Sequence, residues 1–372
     1  MNLFVKRIFL IFFGFFLFFS SLEFYFWYGP SGMSFKSLYS VDPVLGWDYM
    51  PNSSVSFTDD MGHESVISID ANGLREDNDF SSDRPTVIVL GDSFAANIGL
   101  NSSDVYTDIL EDEFFSGVNV INFGVKGYGI VQDYLKLRDK GFDLDPDLVV
   151  LVFSTGSDFM DDSSYSSTFV FSRNRPKARF EEGSLVFYGI PVDGEVDSVI
   201  HWMLRRSKAL YWLYYAVGNV IGFSEHPLFP PEVRMIDDSS VLANGSFHLA
   251  CDLLLSMGEE LDDRNVDFLV LISPRVHIVD DEMFMDLSND YLLSPSDRFS
   301  LNNRFRECLE AGGVDVFDLS DDLVAHERKS RGLDLYDPSD FHWNARGNMF
   351  VAEILYDHIM DEMNVSALKK NT

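Results

Sequence analysis

The feature that most constrains this chain is the unbroken apolar run Leu148-Val149-Val150-Leu151-Val152-Phe153, introduced by Pro146-Asp147. Six consecutive apolar residues, three of them β-branched valines, leave no side to face water. Such a run suits a strand of a parallel sheet covered on both faces. Thr86 to Leu90 and Val118 to Asn122 read as further strands upstream, and Asp267 to Ile272 and Val314 to Phe317 as two more downstream. Helical spacing falls between them, over Val105–Phe115, Ile130–Lys140, Phe247–Leu261, Asn302–Ala311 and Ala345–Met360. Strands alternating with helices predict a three-layer α/β/α sandwich around a mostly parallel, flavodoxin-like sheet.

Outside this pattern lie three segments. The amino terminus carries Lys6 and Arg7, an uncharged Phe-rich run from Ile8 to Leu22, then Glu23 and the aromatics Phe24 to Tyr28. Spanning a bilayer takes roughly 20 apolar residues, so the uncharged run alone would also suit a signal-peptide core. The absence of a small-residue cleavage pattern and the aromatic belt favour an uncleaved signal anchor, an N-terminal transmembrane helix over residues 1–29. The positive flank then places everything after Gly29 outside the cytoplasm. Residues 30–84 form a turn-rich, β-rich lead-in with hairpin material at Val55-Ser56-Phe57 and Val66-Ile67-Ser68-Ile69. The main domain, 85–372, is interrupted at about 160–246 by a Ser/Asp- and aromatic-rich insertion. Its uncharged piece Ala209–Phe223 is short for a second span and reads better as a core or lid helix.

The formal charge of −32 argues against a nucleic-acid partner, which requires clustered Lys and Arg. Cys251 and Cys308 are the two cysteines. They form no CxxC, so one disulfide is open to them and a zinc site is not indicated. Acidic pairs such as Asp161-Asp162, Asp280-Asp281 and Asp321-Asp322 lack a complete calcium loop and read as solvated surface. No metal or organic cofactor is called for.

Functional groups of parallel sheets collect beyond the carboxyl ends of the strands. Three strands end in unusual loops: Gly91-Asp92-Ser93, then Asn122 through Gly129, then Ser154-Thr155-Gly156-Ser157-Asp158. A fourth polar cluster, Asp337 through Asn344, precedes the last helix. A serine nucleophile needs a base, and the base needs an acid to fix its tautomer and stabilise its cation. Ser93, His342 and Asp340 supply those roles, with Asp337 as an alternative acid. The N–H groups of Ser93 and Gly127 are candidates for holding an oxyanion.

Together these blocks resemble the SGNH (GDSL-like) hydrolase family over about residues 85–160 and 247–362. Gly91-Asp92-Ser93 is similar to the block that carries the nucleophile, and Gly127 matches the oxyanion-hole glycine of the second block. Gly156-Ser157-Asp158 falls where the family has Gly-Asn-Asp, and Asp340-Phe341-His342 is similar to the block carrying acid and base. The lead-in, with Leu45-Gly46-Trp47 and Asn72-Gly73-Leu74-Arg75, resembles that of membrane-anchored members associated with surface polysaccharides. The resemblance implies a serine esterase removing an acyl group, expected to be acetyl, from an extracytoplasmic carbohydrate or lipid. It equally implies an O-acyltransferase using the same acyl-enzyme. Two departures stand out. Ser157 replaces the third-block Asn, which weakens the expected oxyanion hole and motivates a third reading, a non-catalytic binding or assembly protein on this fold. The acid lies two residues before His342 rather than three, where Ser339 stands.

Overall fold

The computed structural model describes residues 6–7, 13–14, 16–21, 38–58, 64–75, 80–155, 158–161, 175–189, 241–291, 294–330, 332–338, 340–363, 365 and 367–368. Most of the expected anchor, most of the insertion including Ala209–Phe223, and Gly156-Ser157 lie outside the described residues. Among the described residues no helix is long and apolar enough to cross a membrane.

Strands are numbered in chain order: β1 Tyr39–Asp42, β2 Gly46–Tyr49, β3 Ser54–Thr58, β4 Glu64–Ser68, β5 Thr86–Gly91, β6 Asn119–Asn122, β7 Leu148–Ser154, β8 Lys177–Glu181, β9 Ser184–Tyr188, β10 Asp267–Ser273 and β11 Asp315–Asp318. The central sheet runs β11-β10-β7-β5-β6, and every pairing within it is parallel. The inner strands β5, β7 and β10 are mostly apolar because both faces are covered, and the side-chain period of two deals residues to each face in turn. Val149, Leu151 and Phe153 of β7 join one core, shared with Ile88, Leu90, Val270 and Ile272. Leu148, Val150 and Val152 join the other, with Val87, Val89, Leu269 and Leu271.

The first face is covered by the helices Ile130–Lys136, Val241–Asp262 and Ser300–Ala311 together with the lead-in. The second is covered by Tyr106–Ile109, Ser320–Ser330 and Ala345–Asp361. The resulting three layers are the expected α/β sandwich. Two of the expected helices change pitch: Tyr106–Ile109 continues as a π-helical turn over Leu110–Phe114, and Ile130–Lys136 over Leu137–Gly141. Cys251 and Cys308 form a disulfide between the helices Val241–Asp262 and Ser300–Ala311, with Cα atoms 6.4 Å apart. That separation is ordinary for the bond.

The lead-in consists of two antiparallel hairpins, β1–β2 and β3–β4. Val55 and Ile67, opposite one another in the second, point into the core, whereas Ser54 and Ser56 stand exposed. The described part of the insertion contains an unforeseen hairpin, β8–β9. Its two-residue turn, Glu182-Gly183, has both φ angles positive, at 50° and 81°. That geometry matches the right-handed twist of the paired strands. The helix Val241–Asp262 starts ahead of the expected Phe247.

Candidate active site

β5 ends on Gly91, whose φ is 138°. A Cβ there would stand 2.6 Å from Val152 O of the neighbouring strand, so glycine is required for the chain to leave the sheet at this point. Asp92 caps the one-turn helix Ser93–Ala96, its Oδ1 accepting from the Phe94 N–H at 2.8 Å. Gly91 N–H donates to the buried Asp133 Oδ1 at 3.2 Å. These bonds set Ser93 at the first position of the helix, half-buried, beyond the carboxyl edge of the sheet.

The second block wraps against that helix. Asn122 Oδ1 accepts from Gly124 N–H at 2.9 Å, and its Nδ2 donates to Ala95 O and Thr107 Oγ1 at 2.8 and 3.2 Å. Asn122 is thus a loop organiser. Gly124 lies so close that an added Cβ would meet Ala95 Cβ at 2.6 Å and Ala96 N at 2.7 Å. Gly127 has φ 81°. Among the described residues neither the Ser93 nor the Gly127 N–H is taken by an acceptor, which keeps both available for an oxyanion. In the third block Asp158 is buried and accepts from Ser154 N–H at 2.8 Å. Ser157 lies outside the described residues, so its expected oxyanion role stays with the sequence argument.

The last block arrives as a pinched loop. Tyr336 and Trp343 form an antiparallel bridge, and Asp337 N–H donates to His342 O at 2.8 Å. Phe341 takes φ 63°, the left-handed conformation, which folds Asp340 back on His342 across one intervening residue. Asn344 caps the last helix by accepting from Gly347 N–H at 3.0 Å, while its amide donates to Asp334 O and Tyr336 O. Glu327 accepts from the N–H groups of Asp334 and Leu335 and fixes the other stem of the loop. Trp343 is buried edge-on against Phe94 and Tyr106, with centroids 5.0 and 6.0 Å away.

Across a separation of 249 residues, His342 Nε2 comes within 2.7 Å of Ser93 Oγ. Its Nδ1 lies 3.3 Å from Asp340 Oδ2, close enough for an ion pair although out of line for a strict hydrogen bond. Catalytic contacts commonly tighten only around substrate. Burial pushes the Asp340 carboxyl up, but the hydrogen bonds and charge of His342, with the Lys126 ammonium, outweigh it and hold Asp340 below its usual range. All three sequence-assigned catalytic residues are therefore assembled. Asp337, the alternative acid, contributes its backbone to the loop.

Two contributors were not singled out from the sequence. Phe94, next to the nucleophile, packs its ring 4.9 Å from the imidazole of His342 and restrains the base. Lys126 feels both Asp340 and Asp92, yet burial depresses its ammonium below the usual lysine value. Its one visible signal was a lone charge in a glycine-rich loop. Of the remaining histidines, His326 does find a carboxylate, Asp334 at 3.1 Å, a pairing eight residues apart that the sequence did not suggest. His277 lies beside the Phe341 ring. The Asp281 carboxylate is held by Arg328 and Arg298, whose hydrogen bonds lower it to about 2.

A serine on a short helix beyond a strand end, a His-Asp pair ahead of the last helix and a parallel sheet beneath them form an α/β scaffold that brings together the groups of a nucleophile, base and acid. Residues 239–372, which carry Asp340 and His342, match the family described as ALGX: SGNH hydrolase-like domain, acetyltransferase AlgX. Solved structures similar to this protein include an acetyl xylan esterase, AlAXEase, at 15% identity over 74% of this chain and 99% of that one, with TM-score 0.40. A lipase/acylhydrolase from Enterococcus faecalis gives 14%, 74%, 95% and 0.39 in the same order. A psychrotrophic esterase, EstA, from Pseudoalteromonas sp. gives 12%, 75%, 99% and 0.38. No curated protein sequence matches significantly.

Proposed function

We propose that this protein is a serine esterase that cleaves an acyl ester, acetyl first among the candidates, of an extracytoplasmic carbohydrate or lipid through an acyl-enzyme. The observation that carries the reading is the 2.7 Å contact between Ser93 Oγ and His342 Nε2. Ser93 Oγ attacks the ester carbonyl as His342 Nε2 takes its proton, and Asp340 stabilises the imidazolium. The oxyanion receives the N–H groups of Ser93 and Gly127, with Ser157 as third donor. His342 then returns the proton to the leaving alcohol, and water cleaves the acyl-Ser93 ester by the reverse sequence.

A second reading, transfer of the acyl group to a hydroxyl of a surface polysaccharide, is favoured by the acetyltransferase description of the family matched over 239–372. It differs only in the nucleophile that resolves the acyl-enzyme. The extracytoplasmic setting is supported by the Cys251–Cys308 disulfide, since such bonds persist in oxidising compartments. It is also supported by the exposed apolar side chains of Phe13, Phe16, Leu17 and Phe18 behind Lys6 and Arg7, which suit a membrane anchor.

The test uses the full chain with a fluorophosphonate probe and intact mass, beside Ser93→Ala and His342→Ala. One adduct on the parent and none on either variant is the expected result. A folded parent that takes up no adduct would overturn the catalytic reading and leave the binding-protein alternative. Acetyl release from an activated acetyl ester, measured with and without a hydroxyl-rich oligosaccharide, then separates the two enzyme readings. Acetylated oligosaccharide accumulating at the expense of acetate would select transfer.

A further inference from the structure

We propose that the lead-in, residues 39–75, is part of the catalytic scaffold. In this assignment Arg75 positions the nucleophile helix, and the buried Asp48–Lys136 pair positions the glycine-rich second-block loop. The inference rests on the reading of Ser93 as nucleophile and adds residues to its machinery that touch neither substrate nor reacting atoms.

The first clamp comes from the second hairpin. A helix of one turn leaves its final carbonyls without intrahelical partners, and a cation at that end is favourable. Arg75, buried, supplies both: Nη1 donates to Ala96 O and Asn97 O at 2.5 and 2.6 Å, and Nη2 donates to Leu100 O at 2.5 Å. The planar guanidinium is the one side chain that can address several carbonyls at fixed angles. The turn before it aims the side chain. Asp70 Oδ1 accepts from the N–H groups of Asn72 and Leu74 at 2.8 Å each, and Gly73 takes φ 78°. Ser65 Oγ donates to Gly99 O at 2.9 Å, and Asn101 Oδ1 accepts from Val66 N–H at 2.9 Å. The hairpin thus grips the segment directly behind Ser93.

The second clamp comes from the first hairpin. Tyr128 Oη donates to Trp47 O at 2.5 Å, and Gln132 Nε2 donates to Leu45 O at 2.7 Å. Arg175 Nη2 donates to Gly127 O at 2.5 Å while its guanidinium lies 5.4 Å over the Trp47 ring. Asp48 accepts from Lys136 Nζ at 2.9 Å and from Lys140 Nζ at 2.8 Å. The Lys136 ammonium has no solvent exposure and sits 5.6 Å from the ring centroids of Tyr49, Phe123 and Tyr128. Phe123 and Tyr128 bracket the loop that carries Gly124 and Gly127. A buried ion pair is a poor source of net stability compared with an apolar pair of equal shape. Its directional value lies in fixing the loop against β2.

The experiment compares the full chain with Arg75→Met, Arg75→Lys and the double variant Asp48→Asn/Lys136→Met. Fluorophosphonate labelling is resolved into probe affinity and maximal rate, and backbone amide exchange is followed over 94–100 and 124–129. Arg75→Met is expected to lower the maximal labelling rate about 10- to 100-fold at unchanged probe affinity and to speed exchange over 94–100 alone. Arg75→Lys is expected to recover part of both. The double variant is expected to speed exchange over 124–129 alone and to slow labelling comparably. Parent-like labelling and exchange in these variants would overturn the proposal. So would exchange that rises uniformly across the central sheet, including in Arg75→Lys, because that marks general destabilisation. A parent that takes up no probe would sink the nucleophile reading, while the local exchange pattern would still decide whether the clamps exist.

Discussion

Asp340 spends both carboxylate oxygens on one residue, His342: Oδ1 accepts the backbone N–H at 3.1 Å, and Oδ2 faces Nδ1 at 3.3 Å. The left-handed Phe341 between them makes the two-residue spacing workable. An acid three residues before the base would not need that turn. The acid is only partly buried, its side chain 57% exposed. Asp340→Asn is expected to slow Ser93 labelling about 100-fold, less than for a fully buried triad acid. Asp337→Asn should stay within about threefold of the parent, because it is Asp340 whose carboxylate faces His342 Nδ1. The reverse ranking in labelling rates would make Asp337 the acid.

The second-block glycines separate cleanly by what a methyl group would meet. Gly127→Ala meets one ordinary van der Waals contact, Trp47 Cζ2 at 3.8 Å, and costs only the left-handed backbone, about 1–2 kcal/mol. Gly124→Ala collides with Ala95 and Ala96 of the nucleophile helix and is expected to cost about 3 kcal/mol. Urea midpoints of the two variants, equal within error, would contradict this packing.

Lys126 is one of the charges that keep Asp340 ionised. Removing a cation favours the protonated acid, so Lys126→Met should move the acidic limb of the labelling-rate profile toward higher pH. Lys126→Arg should leave the limb in place. An unmoved limb in Lys126→Met would mean that His342 alone holds the carboxylate.

Asp108 is raised to about 7, mainly by burial and further by Glu111 and Asp112, against the opposing pull of Arg75 and Thr107. Between the ordinary carboxylate value and about 7 the folded chain holds a proton that the unfolded chain has lost. Stability therefore falls as pH rises through that window. Asp108→Asn is expected to stabilise the protein at pH 8 by on the order of 2 kcal/mol and to change little at pH 5. Denaturant midpoints at the two pH values check it.

The disulfide closes a separation of 57 residues between two helices of one core layer. Reduction is expected to lower stability by about 2–4 kcal/mol. Ser93 labelling should survive in the reduced, folded chain, since the bond lies away from the catalytic loops. Loss of labelling without unfolding would show that the layer also sets the site.

Much of the framework was readable before folding. β7 and β10 are buried on both faces, so their composition alone identifies them. The last helix was marked by its apolar spacing behind the polar cluster that ends at Asn344. The helix Ser320–Ser330 escaped notice because only Leu323, Val324 and Glu327 of its middle, with Ser320, are buried, and its acidic start resembles surface. β8–β9 escaped because its turn uses Glu182 rather than Asn or Asp in the left-handed region.

The sequence by itself determined the layered architecture and the order of the loops, and it offered Ser93 and His342 with either Asp340 or Asp337 as the acid. These follow from local chemistry: burial on two faces demands apolar runs, and a nucleophile, base and acid demand particular functional groups. Only the tertiary structure decided that Ser93 and His342 meet, that Lys126 faces the acid, and that Arg75 and Asp48 reach from the lead-in to the catalytic loops. Arg75 looks like any surface arginine until the carbonyls of Ala96, Asn97 and Leu100 converge on it. Asp48 looks solvated until Lys136 is buried beside it. Long-range electrostatic and hydrogen-bond partnerships have no period and no fixed spacing along the chain, so they come into being only when the backbone closes.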